Sequence, residues 1–501
     1  MHISKGGEVA VAANTRAFNL TVFHQILLGC GIVLTLIASL FLTNSLILVA
    51  AVLFAVVLFA VMRNGVSSLF AFIIINVVVS LRTKEEGANG APSSLDLMLG
   101  IMLVSIIVYW VVRLQILERE SLSHSVGQLL LLIFMVWSVG VTIVGLSNEH
   151  NSLNSGVREI INLSPLLILP LLYERFIEPG SKVESALFGL VLFSAALIIF
   201  ANIWTLRNHL VRAYYLFQVG RSSYDLSLTM FIILIMTSIL MHTRRWWQTL
   251  LAISFLLLGF AGLATTFSRN SYITTPLAMI VVFWLGNAKE RLAGMKRLMY
   301  ASFIGVALTI QICLSSRALR IILLRYGLQL LSAGHYHTDL SLLARYVEWR
   351  QEWQAILQSP ILGHGFGTQF RNFDIILRLH TWMSFSHNSY LYLVFKTGFF
   401  GALLFLSAYF IFMGKGLKLA KSQSFTPRSR VALRASFAFL VIVLTQAYLG
   451  PVFDSKTSMI WVGLVWGYYL ALEKQERKRN MDASMNGICS NDRIPQEVGS
   501  L

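Results

Sequence analysis

At ordinary domain size, 501 residues would make about three soluble domains. The composition excludes a water-soluble enzyme: 56% of residues are hydrophobic and 13% charged, with a mean hydropathy of +0.69, where soluble domains carry roughly 25% charged residues. The net charge of +17, from 40 Lys and Arg against 23 Asp and Glu, reads as the positive-inside bias of a membrane protein, not as nucleic-acid binding.

Apolar runs fall near 25–43, 45–62, 66–81, 96–112, 126–146, 159–174, 185–205, 225–241, 248–266, 271–287, 298–315, 388–412, 431–449 and 457–472. A helix needs about 20 such residues to cross the hydrocarbon. The expected fold is therefore an all-α polytopic membrane protein with about 12–14 transmembrane helices. The run 159–174 is the weakest, because Pro165 and Pro170 would kink it or make it re-entrant. The first run leads straight into another and reads as a span, not a signal peptide. The expected organisation is an N-terminal cytoplasmic segment 1–24, helices across 25–315, a long loop 316–387, helices across 388–472, and a polar, disordered cytoplasmic tail 473–501. Cys30, Cys313 and Cys489 have neither disulfide nor zinc spacing.

With fourteen spans and a cytoplasmic N-terminus, inward segments hold 24 of the 40 basic residues and short outward segments hold 8. That asymmetry puts the 316–387 loop outside. Within the loop, Leu342, Tyr346, Trp349, Trp353 and Ile356 recur at helical spacing, with Arg345, Glu348, Arg350 and Glu352 off the stripe. The pattern predicts an amphipathic helix on the membrane surface or roofing a cavity. Arg317 to Leu331 reads as a second one, with arginines suited to lipid phosphates.

Outward arginines run against the charge trend. Arg207, Arg212 and Arg221 cluster before one span, and Arg269 sits between two spans in Ser268-Arg269-Asn270. Arginine is the side chain best shaped for bidentate phosphate binding; the plainer alternative is snorkelling to head groups. The loop ends in "SPILGHGFGT", whose glycines suit a tight turn or an anion-binding nest, not a nucleotide loop. His387 stands where the loop re-enters the membrane, and an imidazole there suits general-base work. Asn388 is placed to cap the next helix and orient that ring. His335, His337 and Asp339 raise a metal site, but their spacing is not a helical ligand pattern, and none is expected.

In combination and in this order, Ser268-Arg269, then Arg345, Trp349, Trp353 and "SPILGHGFGT", then "HNSYLYLVFKTGFFG" resemble the O-antigen ligase and polysaccharide polymerase family over roughly residues 200–415. The resemblance implies a C-type glycosyltransferase fold in the bacterial inner membrane, with its site on the periplasmic face. It implies an undecaprenyl-diphosphate-linked glycan as donor, inversion at the anomeric carbon, no cofactor and no metal. By position, Arg269 would hold the diphosphate and His387 would be the base, with Arg345 and Asn388 as further substrate contacts. Arg212 and Arg221 compete for the family's other arginine, in a stretch, "RAYYLFQVGRSSYD", that departs from the family's usual sequence.

The acceptor is either a second lipid-linked glycan, in a repeat-unit polymerase, or lipid A-core, in an O-antigen ligase. The extra spans favour the polymerase. Membrane lipids, a flippase and a chain-length regulator are the other candidate partners; no nucleic acid is expected. A transporter of the same lipid-linked sugar is the reading from another class, disfavoured because the spans offer little beyond Asp225 as an intramembrane carboxylate.

Overall fold

Hydrocarbon offers no water to backbone N–H and C=O groups, so apolar runs in a membrane must close their hydrogen bonds as helices. The computed structural model describes residues 64–82, 106, 109–110, 125–147, 150–212, 225–266, 268–315, 320, 340–375 and 378–491. Its helices are α1 (Gly65–Arg82), α2 (Val126–Gly145), α3 (Leu153–Leu163), α4 (Pro165–Phe176), α5 (Lys182–Arg212), α6 (Leu226–His242), α7 (Trp246–Ala264), α8 (Arg269–Trp284), α9 (Ala288–Ser315) and α10 (Leu340–Ile356). An antiparallel hairpin of β1 (Phe370–Asp374) and β2 (Leu379–Met383) follows, then α11 (Ser389–Lys421), α12 (Pro427–Ala447) and α13 (Lys456–Asn491). The chain is an all-α polytopic membrane protein.

Among the described residues, six helical stretches are long and apolar enough to cross a membrane: Val126–Gly145, Leu153–Phe176, Lys182–Thr205, Trp246–Ala264, Ser389–Lys421 and Pro427–Ala447. The runs near 25–43 and 45–62, and nearly all of that near 96–112, lie outside the described residues. The weak run 159–174 is two helices. Pro165, which has no N–H to give, opens α4 directly after α3.

α6 forms the centre, with Leu228, Ile232, Ile233, Leu234 and Leu240 fully shielded. Its Phe231 ring meets Phe439 of α12 at 4.9 Å. α13 lies close against α4 because Gly463 and Gly467, four residues apart, present no side chain to Pro165 and Tyr173. Outward faces carry exposed Val136, Phe193, Ile280 and Phe303. Such a surface suits acyl chains, not water.

α11 is broken at Gly398, whose φ of 67° lies in the left-handed region. The break frees three carbonyls, and each finds a donor. His364 N–H bonds Phe395 O at 2.9 Å, Gly365 N–H bonds Lys396 O at 2.9 Å, and the Trp137 indole bonds Thr397 O at 2.9 Å. The glycine run thus sits against the kink. Phe366 N–H donates to Thr142 Oγ1 and Gly367 N–H to Glu159 Oε2, each at 3.0 Å. With these N–H groups engaged inside the protein, the run is a tight structural turn and not an anion nest. A side chain at Gly398 would overlap the Ile361 carbonyl, and leaving the positive-φ conformation would break the turn. Gly398→Ala should therefore abolish the yield of monodisperse protein on size-exclusion chromatography, where the surface change Val136→Ala should leave it intact.

The two ends of the helices gather different sets of polar contacts. One end gathers residues 150–153, 265–266, 268–270, 340–375, 378–388 and 446–456. The other gathers Arg430 and Arg434 on Glu290, at 3.3 and 2.9 Å, and Lys415 on Glu473 at 2.7 Å. Residues 473–491 of the tail are helical where disorder was expected, because α13 continues to Asn491, and 492–501 lie outside the described residues. Glu473 and Arg477 pair one turn apart at 2.6 Å, which supports the helix beyond the apolar run.

Candidate functional site

α10 splits the expected stripe: Ile356 is buried and Trp349 half-buried, while Tyr346 and Trp353 stay exposed and the two off-stripe acids turn inward. Glu348 and Glu352 are buried at 4% and 0% exposure, while Tyr346 and Trp353 are exposed at 64% and 42%. The two acids stand one turn apart, hence on one face. The chain at 386–388 passes beneath that face and supplies the hydrogen-bond donors that make their burial tolerable. α10 therefore roofs the site with Glu348 and Glu352 inward and Tyr346 and Trp353 outward.

Glu348 grips His387 twice. Oε1 accepts the His387 backbone N–H at 2.7 Å, and Oε2 lies 2.7 Å from the ring Nδ1. A carboxylate can only accept, so Nδ1 carries a proton, and in the neutral imidazole Nε2 is the nitrogen with the lone pair. The imidazole is 35% exposed while Glu348 is almost covered, so the ring is held from behind and open in front. A buried carboxylate on Nδ1 that holds the ring in one orientation is an arrangement able to support proton transfer from a hydroxyl.

Glu352 serves the neighbouring residue. Ser386 Oγ donates to its Oε2 at 2.6 Å, and Asn388 N–H donates to Ser386 Oγ at 3.0 Å. Burial pushes the Glu352 carboxyl up to about 8, with Glu348 adding to the rise; the Ser386 hydrogen bond and, more weakly, Lys396 act the other way. A carboxyl raised on folding holds its proton more tightly in the native state, so stability is full below its ordinary range near 4.5 and is lost as pH climbs towards 8. In detergent, the Tm of the wild type should fall between pH 6 and pH 9. Glu352→Gln should flatten that fall; an unchanged slope would remove Glu352 from its cause.

Asn388 is buried and caps α11, its Oδ1 accepting from Tyr390 and Leu391 N–H at 3.0 and 3.2 Å. The orienting of His387 falls to Glu348, not to Asn388. Arg345 Nη1 donates to Leu449 O at 3.0 Å, just beyond α12. Arg269 is the first residue of α8, and its neighbour Asn270 donates to Gln446 O at 3.3 Å. Ser389 Oγ donates to Gly450 O at 2.6 Å and accepts from Val452 N–H at 2.7 Å. The segment 446–452 thus ties the start of α8, α10 and the start of α11 together. Arg269, Arg345 and His387 stand at the same end of the molecule.

A guanidinium at the first turn of a helix is unusual, since the helix dipole there is already positive. The two together favour an anion. Behind the site, Lys396 is fully buried and pairs with Glu159 at 2.9 Å and with Thr368 O at 2.7 Å, locking α3, α11 and the glycine turn to one another. Among the described residues, no group of three or more His, Cys, Asp or Glu is placed to hold a metal ion.

Arg212 ends α5, but its side chain and the whole of Arg221 lie outside the described residues. So do His335, His337, Asp339 and nearly all of the Arg317–Leu331 stretch. Glu348, Glu352 and Ser386 are the site residues that sequence reasoning missed. Their signal was present in the spacing of the two acids on one helical face, which reads equally well as a solvated side.

No curated protein matches the chain. Residues 254–406 match a family model described as O-antigen ligase, a stretch that runs from α7 into α11 and includes Arg269, Arg345, Glu348, Glu352, His387 and Asn388. The resemblance to the O-antigen ligase family thus rests on the part of this membrane protein that carries the Glu348–His387 pair.

Proposed function

We propose that the chain is a membrane glycosyltransferase that takes an undecaprenyl-diphosphate-linked glycan as donor on the periplasmic side of the bacterial inner membrane. The observation that carries this reading is the Glu348-held imidazole of His387, inside the stretch that matches the O-antigen ligase model. His387 Nε2 removes the proton from an acceptor hydroxyl as that oxygen bonds to the anomeric carbon. The bond from that carbon to the phosphate oxygen breaks on the opposite face, and the lipid diphosphate departs with the electron pair. Glu348 stabilises the imidazolium that forms, and Arg269 faces the charge growing on the diphosphate.

The periplasmic assignment rests on the 24-to-8 distribution of basic residues. The ion-paired end with Arg430, Arg434 and Lys415 is then cytoplasmic.

The acceptor in the preferred reading is another lipid-linked repeat unit, which makes the enzyme a polysaccharide polymerase. The second reading, transfer to lipid A-core, is favoured by the description of the matched family. A gel of surface glycans from a deletion strain separates them. A ladder collapsed to a single repeat on core is the expected result for the polymerase. Bare core with lipid-linked polymer accumulating is the result for the ligase. An unaltered ladder would refute both.

A further inference from the structure

Saccharide rings offer a flat face of C–H groups bordered by hydroxyls. They are therefore received by an exposed, immobile aromatic ring with polar neighbours. The β1–β2 hairpin presents one. Trp382 is 48% exposed, yet the His150 imidazole stacks on it with centroids 3.6 Å apart and planes 28° from parallel. The backbone that carries this imidazole is held, because the His150 carbonyl accepts from Gln369 N–H at 3.1 Å and the adjacent Asn151 bridges to Thr368. The indole is thus backed on one side and open to solvent over about half its surface. An aromatic ring ordered before binding loses little entropy when a ligand stacks on it.

The surroundings are polar. Arg371 stands directly across the ladder from Trp382 and is exposed on the same face, as is His380 two residues away. The chain then leads to the candidate base. Phe385 is 40% exposed and meets the His387 ring edge-on at 5.6 Å. Trp382, Phe385 and His387 form a run of rings along one short stretch of chain that ends at the imidazole held by Glu348.

We infer that this face of the hairpin, together with His150, is a saccharide-binding surface: one sugar ring seats on Trp382, and the chain passes Phe385 to reach His387. The inference rests on the glycosyltransferase reading for the direction in which the chain runs. A ring placed only to anchor the protein at the lipid interface would need neither the stacked imidazole behind it nor a path to His387.

The probe is the source bacterium's own surface polysaccharide, freed from lipid by mild acid and fractionated into oligosaccharides. Binding is measured by calorimetry on the full chain in nanodiscs. Trp382→Ala should weaken binding about tenfold or more, the loss of roughly one good stacking contact at about 1.4 kcal/mol per decade. Trp382→Tyr should retain most of it. His150→Ala, which frees the indole, should give an intermediate loss, and the outward surface change Val136→Ala should bind as the wild type does. Wild-type affinity in a folded Trp382→Ala protein would overturn the inference, as would failure of the wild type to bind. So would a loss confined to membrane insertion, which would make Trp382 an interfacial anchor. Transfer that depends on His387 alongside binding indifferent to Trp382 would refute this surface and leave the function standing. Binding that depends on Trp382 without transfer would do the reverse.

Discussion

Replacing His387 by glutamine should abolish glycan transfer while the protein inserts and accumulates normally. The glutamine amide can still donate to Glu348, and the backbone N–H that Glu348 Oε1 accepts is untouched, so the roof over the site should hold. What disappears is the basic nitrogen. General-base help is typically worth about 100- to 10,000-fold, so polymer in cells should fall below detection and in vitro transfer by at least about 100-fold. Glu348→Gln tests the same pair from the other side. It keeps a carbonyl acceptor for the backbone but removes the charge that stabilises the imidazolium, and should give an intermediate loss in kcat. Full-length polysaccharide from His387→Gln would make the histidine structural.

Arg269→Lys should cost about 100-fold in transfer, the typical loss of one donor aimed at developing charge. Lysine preserves the charge at the start of α8 but not the planar fork that fits two phosphate oxygens at once. The expected signature is a fall in kcat with expression and melting temperature unchanged. A lysine variant as active as the wild type would reduce Arg269 to a cation resting among lipid head groups.

Much of the helical frame was legible in the sequence, because a bilayer allows few alternatives to a helix of sufficient length. The break at Pro165 was legible for the same reason, since proline leaves no N–H for the turn before it. The loop was harder. Its helix was visible in the spacing of Tyr346, Trp349 and Trp353, yet which face turned inward was not. Tyr346 and Trp353 stay exposed, Trp349 is half-buried against Tyr448, and the acids cover His387 and Ser386.

The β1–β2 hairpin was missed because five-residue strands such as Phe370–Asp374 carry too few alternations to stand out beside long apolar runs. His387 itself was visible through its place at the loop's end and through the resemblance around it. Its partner was not. Glu348 lies 39 residues earlier, and only the fold brings that carboxylate to the ring. The glycine run shows the same limit. Its turn was readable, but the α11 kink at Gly398 that takes up its N–H groups was not.

The central claim is that the Glu348–His387 pair breaks a glycan–diphosphate bond. The most direct measurement is the release of undecaprenyl diphosphate from its glycan-linked form by the purified protein in proteoliposomes, with acceptor supplied. The account predicts release in step with new glycosidic product, present in the wild type and lost in His387→Gln. Lipid-linked glycan that crosses the bilayer intact, with no diphosphate released, would contradict it and make the protein a transporter.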